Sequence, residues 1–257
     1  MFKKIIIINI IFGFFALSFV SANLKSPFAP TVPGLCIPNA HQVDGNKLYR
    51  SMRPYTEAHY DNIKSFGFKK ILIFKTDRKG DVLAEQTKLS SMGYKDSDVL
   101  HIDFPYRDLT DFKKECLKTV KALKFVFEAR KNNEKLLLHC TVGEDRTGVL
   151  SGLIQLMLKP TANPRYVFYY EMCDHGYGGG NPEKPIEKVV KPIRETLTPF
   201  YIKMAYLVKT GKIKTYHIDE KVCDNDPQND IKGNYKYNSK NYVCYPRKIK
   251  PWTCKKP

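Results

Sequence analysis

Apolar residues along the 257-residue chain fall into two rhythms. Short continuous or alternating runs read as strands: Lys47–Ser51, Lys70–Phe74 with its Ile-Leu-Ile-Phe core, Val99–Phe104, and Leu136–His139. Between them the apolar positions recur every three or four residues, as on one face of a helix. Helices are therefore expected over Tyr55–Phe66, stopped by Gly67; Val82–Met92, stopped by Gly93; and Phe112–Lys131, stopped by Asn132-Asn133. The third carries Leu117, Val120, Leu123, Val126 and Phe127 in helical register. Val149–Leu158, Arg165–Cys173 and Ile186–Val208 continue the helical pattern, with Pro192 and Pro199 expected to start, kink or end segments of the last. Strands alternating with helices predict an α/β fold: a mainly parallel central sheet flanked by helices on both faces.

The ends read differently. Lys3 and Lys4 precede an apolar stretch, Ile5 to Val20, and Val20-Ser21-Ala22 offers a small-residue cleavage site. Residues 1–22 are expected to be a signal peptide cut near Ala22, with a membrane anchor as the competing reading, so the chain is expected to be exported, periplasmic or secreted. Residues 23–43 form a Pro-rich extended leader, residues 44–211 the α/β domain, and residues 212–257 a basic extension rich in Cys and Tyr. No internal repeat is visible.

Charge narrows the partners. The net charge is +17, mostly lysine and dispersed along the chain, a field that attracts polyanions and acidic surfaces. No basic-aromatic motif of a nucleic-acid module accompanies it, so nucleic acid is not expected; an anionic membrane surface remains a candidate partner. Of seven cysteines, Cys140 stands apart by its setting; the other six, Cys36, Cys116, Cys173, Cys223, Cys244 and Cys254, are an even number compatible with disulfides in an exported chain. Cys116, on a helix, reads equally well as plain core.

The chemistry gathers where the strand Leu136–His139 ends. His139-Cys140-Thr141-Val142-Gly143-Glu144-Asp145-Arg146-Thr147-Gly148 then leads into a helix. Five residues between Cys140 and Arg146 can wrap Thr141, Val142, Gly143, Glu144 and Asp145 into a cup of inward N–H groups, helped by the positive end of the helix. A phosphate would sit there, over the Cys140 sulfur and gripped by the Arg146 fork. The same field favours thiolate over thiol, and the Thr147 hydroxyl can donate to the sulfur.

His-Cys-x5-Arg-Thr-Gly resembles the signature of the cysteine-dependent phosphatases, the tyrosine and dual-specificity superfamily. The resemblance extends to Leu48-Tyr49-Arg50-Ser51-x-x-Pro54 followed by a helix, Gly67 and a strand, although Phe74-Lys75 stands where such phosphatases carry Leu-Arg. Tyr170-Glu171-Met172 with Gly176-Tyr177 also resembles bacterial members, and about Asp44 to Tyr177 is covered. The resemblance implies a phosphate monoester hydrolase of the tyrosine or dual-specificity type, working through a phosphocysteine and needing no metal or cofactor. It also implies that His139 is a hydrogen-bonding prop for the loop.

Such enzymes take their general acid from a loop Asp about thirty residues before the cysteine, a place that Asp108 and Asp111 both fit. Asp111 directly precedes a helix and reads as its N-cap. Relatives with a Gly-Lys-Asp-Arg-Thr-Gly loop add Asp145 as a third candidate, and Asp108 is preferred. Many relatives acting on inositol phosphates carry Lys where this chain has Glu144; a carboxylate at the pocket rim would repel further phosphates. Lys75, Arg78 and Lys79, in the loop after the second strand, are a candidate second anion site. The expected partner is a phosphorylated substrate. A phosphoprotein is preferred over a phosphoinositide or inositol polyphosphate, and a non-catalytic phosphate-binding pseudophosphatase is the remaining alternative.

Overall fold

The computed structural model describes residues 32–179 and 187–244, the side chains of 187–190 excepted. The expected signal peptide and the first part of the leader lie outside these residues. Five strands, β1 (His41–Asp44), β2 (Leu48–Ser51), β3 (Lys70–Phe74), β4 (Val99–Ile102) and β5 (Leu136–His139), form one sheet in the order β1-β2-β5-β3-β4. β2, β5, β3 and β4 are mutually parallel, and only the edge strand β1 is antiparallel.

Side chains alternate across this sheet into two cores. Ile71, Ile73 and Leu137 pack with Tyr60 and Ile63 of α1 (Glu57–Phe66) and with Val82 and Leu89 of α2 (Asp81–Ser91). Leu72, Phe74, Leu136 and Leu138 face α3 (Phe112–Lys131), α4 (Asp145–Leu158), α5 (Pro164–Glu171) and α6 (Glu187–Lys209). Burial on both faces is why the strands read as unbroken apolar runs. The helix limits are set by local chemistry. The Thr56 side chain accepts from His59 N–H to open α1, and Gly67, at φ 75°, closes it.

The structure changes the reading of the leader and of Cys116. Residues assigned to the leader belong in part to the domain, since Leu35, Ile37 and Ala40 are buried in the core of the α1–α2 face and β1 begins at His41. Pro192 and Pro199 sit inside α6, which runs on through both. A proline in a helix interior costs about 3 kcal/mol, and here the burial of Leu197, Phe200, Tyr201, Met204 and Ala205 offsets it. Cys116 is not plain core: it is disulfide-bonded to Cys223, and Cys173 to Cys244. The extension 213–244, made of short turns and 3-10 segments, is thereby fastened back onto α3 and the end of α5. No helix among the described residues is long and apolar enough to cross a membrane.

Candidate active site

β5 is the central strand, and at its carboxyl end the chain leaves the sheet at Cys140 and re-enters regular structure at Asp145. Ligands of open α/β sheets bind at this edge. Gly143, at φ 76°, makes the reversal between them, and a Cβ there would collide with the Ser51 carbonyl. No other residue fits that position without moving β2.

The carbonyls of this loop are bound from outside, one after another. His139 Nδ1 donates to Cys140 O at 3.1 Å, Arg53 N–H to Thr141 O at 3.3 Å, and Asn39 Nδ2 to Val142 O at 3.2 Å. Arg50 Nη2 donates to Gly143 O at 2.7 Å and Glu144 O at 3.2 Å. In a trans peptide the C=O of one residue and the N–H of the next point in opposite directions. Five carbonyls held outward therefore aim the N–H groups of Thr141, Val142, Gly143, Glu144 and Asp145 inward. None of these N–H groups has a protein acceptor among the described residues. The cup read from the spacing is present, and apart from His139 its outer wall, the Arg53 N–H and the Asn39 and Arg50 side chains, comes from residues that the motif does not contain.

Cys140 is a free thiol, almost wholly buried. Burial raises its pKa, but the Arg146 guanidinium, followed by the Thr147 hydroxyl and N–H, more than offsets this and holds it below the ordinary thiol value. The Thr147 hydroxyl is buried with no other partner among the described residues. Arg146 Nη1 donates to Phe104 O at 3.1 Å and Nη2 to Thr141 Oγ1 at 2.9 Å, leaving Nε buried and unpartnered. Beneath the loop, His139 Nε2 lies 2.8 Å from Glu85 Oε1, both groups fully buried. Burial disfavours the imidazolium, but Glu85 and the Cys140 carbonyl outweigh it and raise the His139 pKa. The His139 ring thus meets the Cys140 carbonyl on one side and faces Glu85 on the other; Glu85, on α2, was not singled out from the sequence.

Glu144 is not a rim carboxylate. Its side chain is wholly buried, and neither oxygen has a hydrogen-bond partner among the described residues. Burial, Asp145 and Cys140 push its pKa well above the carboxylate range against a smaller opposing pull from Arg50, so its charged form is strongly disfavoured. An acid whose folded pKa is raised holds more protons than the unfolded chain above pH 4.5, so folding weakens as pH rises from there. Glu144→Gln removes that penalty. The melting temperature of the variant relative to the native protein is expected to climb between pH 4.5 and pH 8, and a difference flat with pH would show that Glu144 is ionised in the fold.

The candidate acids separate. Asp111 caps α3, accepting Lys114 N–H at 3.0 Å, as its position before the helix led one to expect. Asp145 accepts Gly178 N–H at 2.9 Å and is buried, which raises its pKa against the pull of that N–H and of Arg146. Asp108 has its side chain 85% exposed, at φ 63°, on a loop that reaches the cup through Phe104 O and the Tyr106 ring, 5.7 Å from the Arg146 guanidinium. Of the candidate second anion site, Lys75 is lost. It is wholly buried, 2.6 Å from both Asp81 oxygens, because the strand carries it inward rather than out on the loop. Arg78 and Lys79 remain exposed.

The sequence model of the tyrosine phosphatase family matches residues 34–162, half of the chain and all of the loop and its outer wall. The chain belongs to the tyrosine phosphatase family. It is a cysteine-dependent phosphatase, a phosphoric monoester hydrolase with an α/β fold. No curated protein matches it. Among solved structures it is similar to Tk-PTP, at 19% identity over 67% of this chain and 95% of that one, with a TM-score of 0.42. The catalytic core of the PP-IP phosphatase SIW14 from S. cerevisiae is 20% identical over 61% of this chain and 84% of that one, at 0.42. PTPMT1 is 13% identical over 67% and 99%, at 0.40.

Proposed function

We propose that this phosphatase hydrolyses phosphoprotein monoesters of the tyrosine or dual-specificity type, with Cys140 as nucleophile. The Cys140 thiolate attacks phosphorus in line; the S–P bond forms as the P–O ester bond breaks, and Asp108 gives its proton to the departing oxygen. Water then attacks the phosphocysteine, Asp108 takes a proton from it, and inorganic phosphate leaves with the thiolate restored. Arg146 and the inward N–H groups hold the equatorial oxygens throughout. The observation that carries this reading is the buried Cys140 sulfur, with Arg146 and Thr147 favouring its thiolate, in a loop whose carbonyls are tied outward.

A second reading, phosphoinositides or inositol polyphosphates, is supported by one feature of the cup mouth. Arg78 and Arg107 lie 4.6 Å and 5.3 Å from the Tyr106 ring that also faces Arg146, and Glu144 is buried rather than on the rim, although Arg107 also lies 3.6 Å from the exposed Asp108 carboxylate. Phosphate release from phosphotyrosine peptides, phosphoserine peptides, phosphoinositides and inositol hexakisphosphate separates the readings. Fastest turnover of phosphotyrosine peptides is expected, and preference for the polyphosphates would select the second. No release from any of them by reduced protein would sink both.

For the proton, Asp108→Asn is expected to slow alkyl phosphates by about 10²-fold or more while slowing an aryl phosphate with a good leaving group far less. The same leaving-group dependence in Asp145→Asn instead would move the role to Asp145, already occupied by Gly178 N–H. Export to an oxidising compartment is part of the proposal. Disulfides Cys116–Cys223 and Cys173–Cys244 support it, and the burial of the Cys140 sulfur would slow its loss to oxidants there.

A further inference from the structure

Arg50 lies in β2, wholly buried, at a sheet position flanked by two apolar cores. A guanidinium there loses its hydration, and burial lowers its pKa despite the Glu171 carboxylate beside it. Its side-chain hydrogen bonds divide between the loop and the end of α5. Nη2 bridges Gly143 O and Glu144 O; Nη1 reaches Glu171 O at 2.5 Å and Glu171 Oε2 at 3.4 Å. Glu171 closes α5 and so fixes the far end of the fork. Asn39 repeats the design at the next peptide. Its Oδ1 lies 2.8 Å from His41 Nε2, which leaves Nδ2 to donate to Val142 O. Asn39 holds φ 55°, a left-handed conformation that asparagine tolerates better than most residues.

We infer that Arg50 and Asn39 are positioning residues for phosphoryl transfer, holding three loop carbonyls outward so that the N–H groups of Gly143, Glu144 and Asp145 face the transferred phosphoryl group. The inference rests on the phosphatase reading but assigns work to residues outside the Cys-x5-Arg motif. Without these donors the buried carbonyl of Gly143 and the partly buried carbonyl of Val142 would lose their protein partners, a state that folded proteins avoid by turning the peptide. A turned peptide takes its N–H away from the oxyanion. Lysine cannot substitute at position 50, because one ammonium lacks the planar fork that reaches both loop carbonyls and Glu171 at once.

The test compares Arg50→Lys, Arg50→Met and Asn39→Asp with the native protein. Inhibition by inorganic phosphate reads the cup, and the pH dependence of Cys140 alkylation by iodoacetamide reads the thiolate. Turnover of para-nitrophenyl phosphate and circular dichroism are followed alongside. Arg50→Lys is expected to stay folded, to bind phosphate about 10- to 100-fold more weakly, to lose about 10²-fold in kcat, and to alkylate with a profile moved to higher pH. Asn39→Asp, which puts an acceptor against Val142 O with almost no change in size, is expected to weaken phosphate binding by about tenfold. Folded variants that lose thermal stability yet keep native phosphate affinity and alkylation profile would overturn the inference, leaving the two residues as mere packing. If neither Arg50 variant folds, Asn39→Asp decides by the same readouts. Absence of turnover in the native protein would instead overturn the phosphatase reading, and phosphate binding would still report on the loop.

Discussion

Cys140→Ser is expected to abolish phosphate release, by about ten-thousand-fold or more, while leaving phosphate binding intact or tighter. A serine hydroxyl does not ionise near neutral pH, and the influence of Arg146 and Thr147 that draws the thiol below its ordinary value falls far short of making an alkoxide. The loop geometry does not depend on the sulfur, since its carbonyls are held by His139, Arg53, Asn39 and Arg50. Removing a buried negative charge from beneath the phosphate should favour the anion. Competition by inorganic phosphate against a fluorescent aryl phosphate, read by equilibrium binding, checks the second half. A Ser variant that neither turns over nor binds would mean that the cup collapses without the thiolate.

Loss of the Cys116–Cys223 disulfide, by Cys116→Ala with Cys223→Ala, should cost about 4 kcal/mol of folding stability. The bond joins residues 107 apart, so it closes a long loop in the unfolded chain. Both cysteines are buried, Cys116 in α3 against the main core and Cys223 in the extension, which has few regular elements of its own to hold it there. Ion pairs such as Lys113–Asp224 at 2.7 Å and Lys124–Glu220 at 2.6 Å flank the bond but are solvent-exposed and contribute little. Urea denaturation is the measurement: a midpoint shift equivalent to less than 1 kcal/mol would show that the extension is held by packing alone.

Much of the frame was legible because local and tertiary demands agree. Lys70–Phe74 and Phe112–Lys131 are found at the residues expected, since β3 is buried on both faces and α3 has a true apolar stripe. The loop was legible because its residues are contiguous. What surrounds it was not, for the opposite reason. Arg50, Asn39, Glu85 and Glu171 come from four separate stretches, and nothing local says that a charged residue in a four-residue strand points at a loop some ninety residues later. A charged side chain inside a strand expected to be buried was the available signal at Arg50. Glu144 and Lys75 misled because a charged residue beside a loop reads as solvated, whereas Glu144 is buried with its charged form disfavoured and Lys75 is buried against Asp81. α6 was legible as a helix from its apolar pattern, although proline counts against a helix locally; its packing on α4 helps to override that.

The central claim is a covalent phosphocysteine at Cys140. Acid quench of the protein during turnover of an aryl phosphate, followed by peptide mass spectrometry, tests it directly. Phosphate on the sulfur of the peptide spanning Leu136 to Arg146, and on no other residue, is the predicted result; sustained turnover with Cys140 unmodified, or turnover persisting in Cys140→Ser, would contradict it.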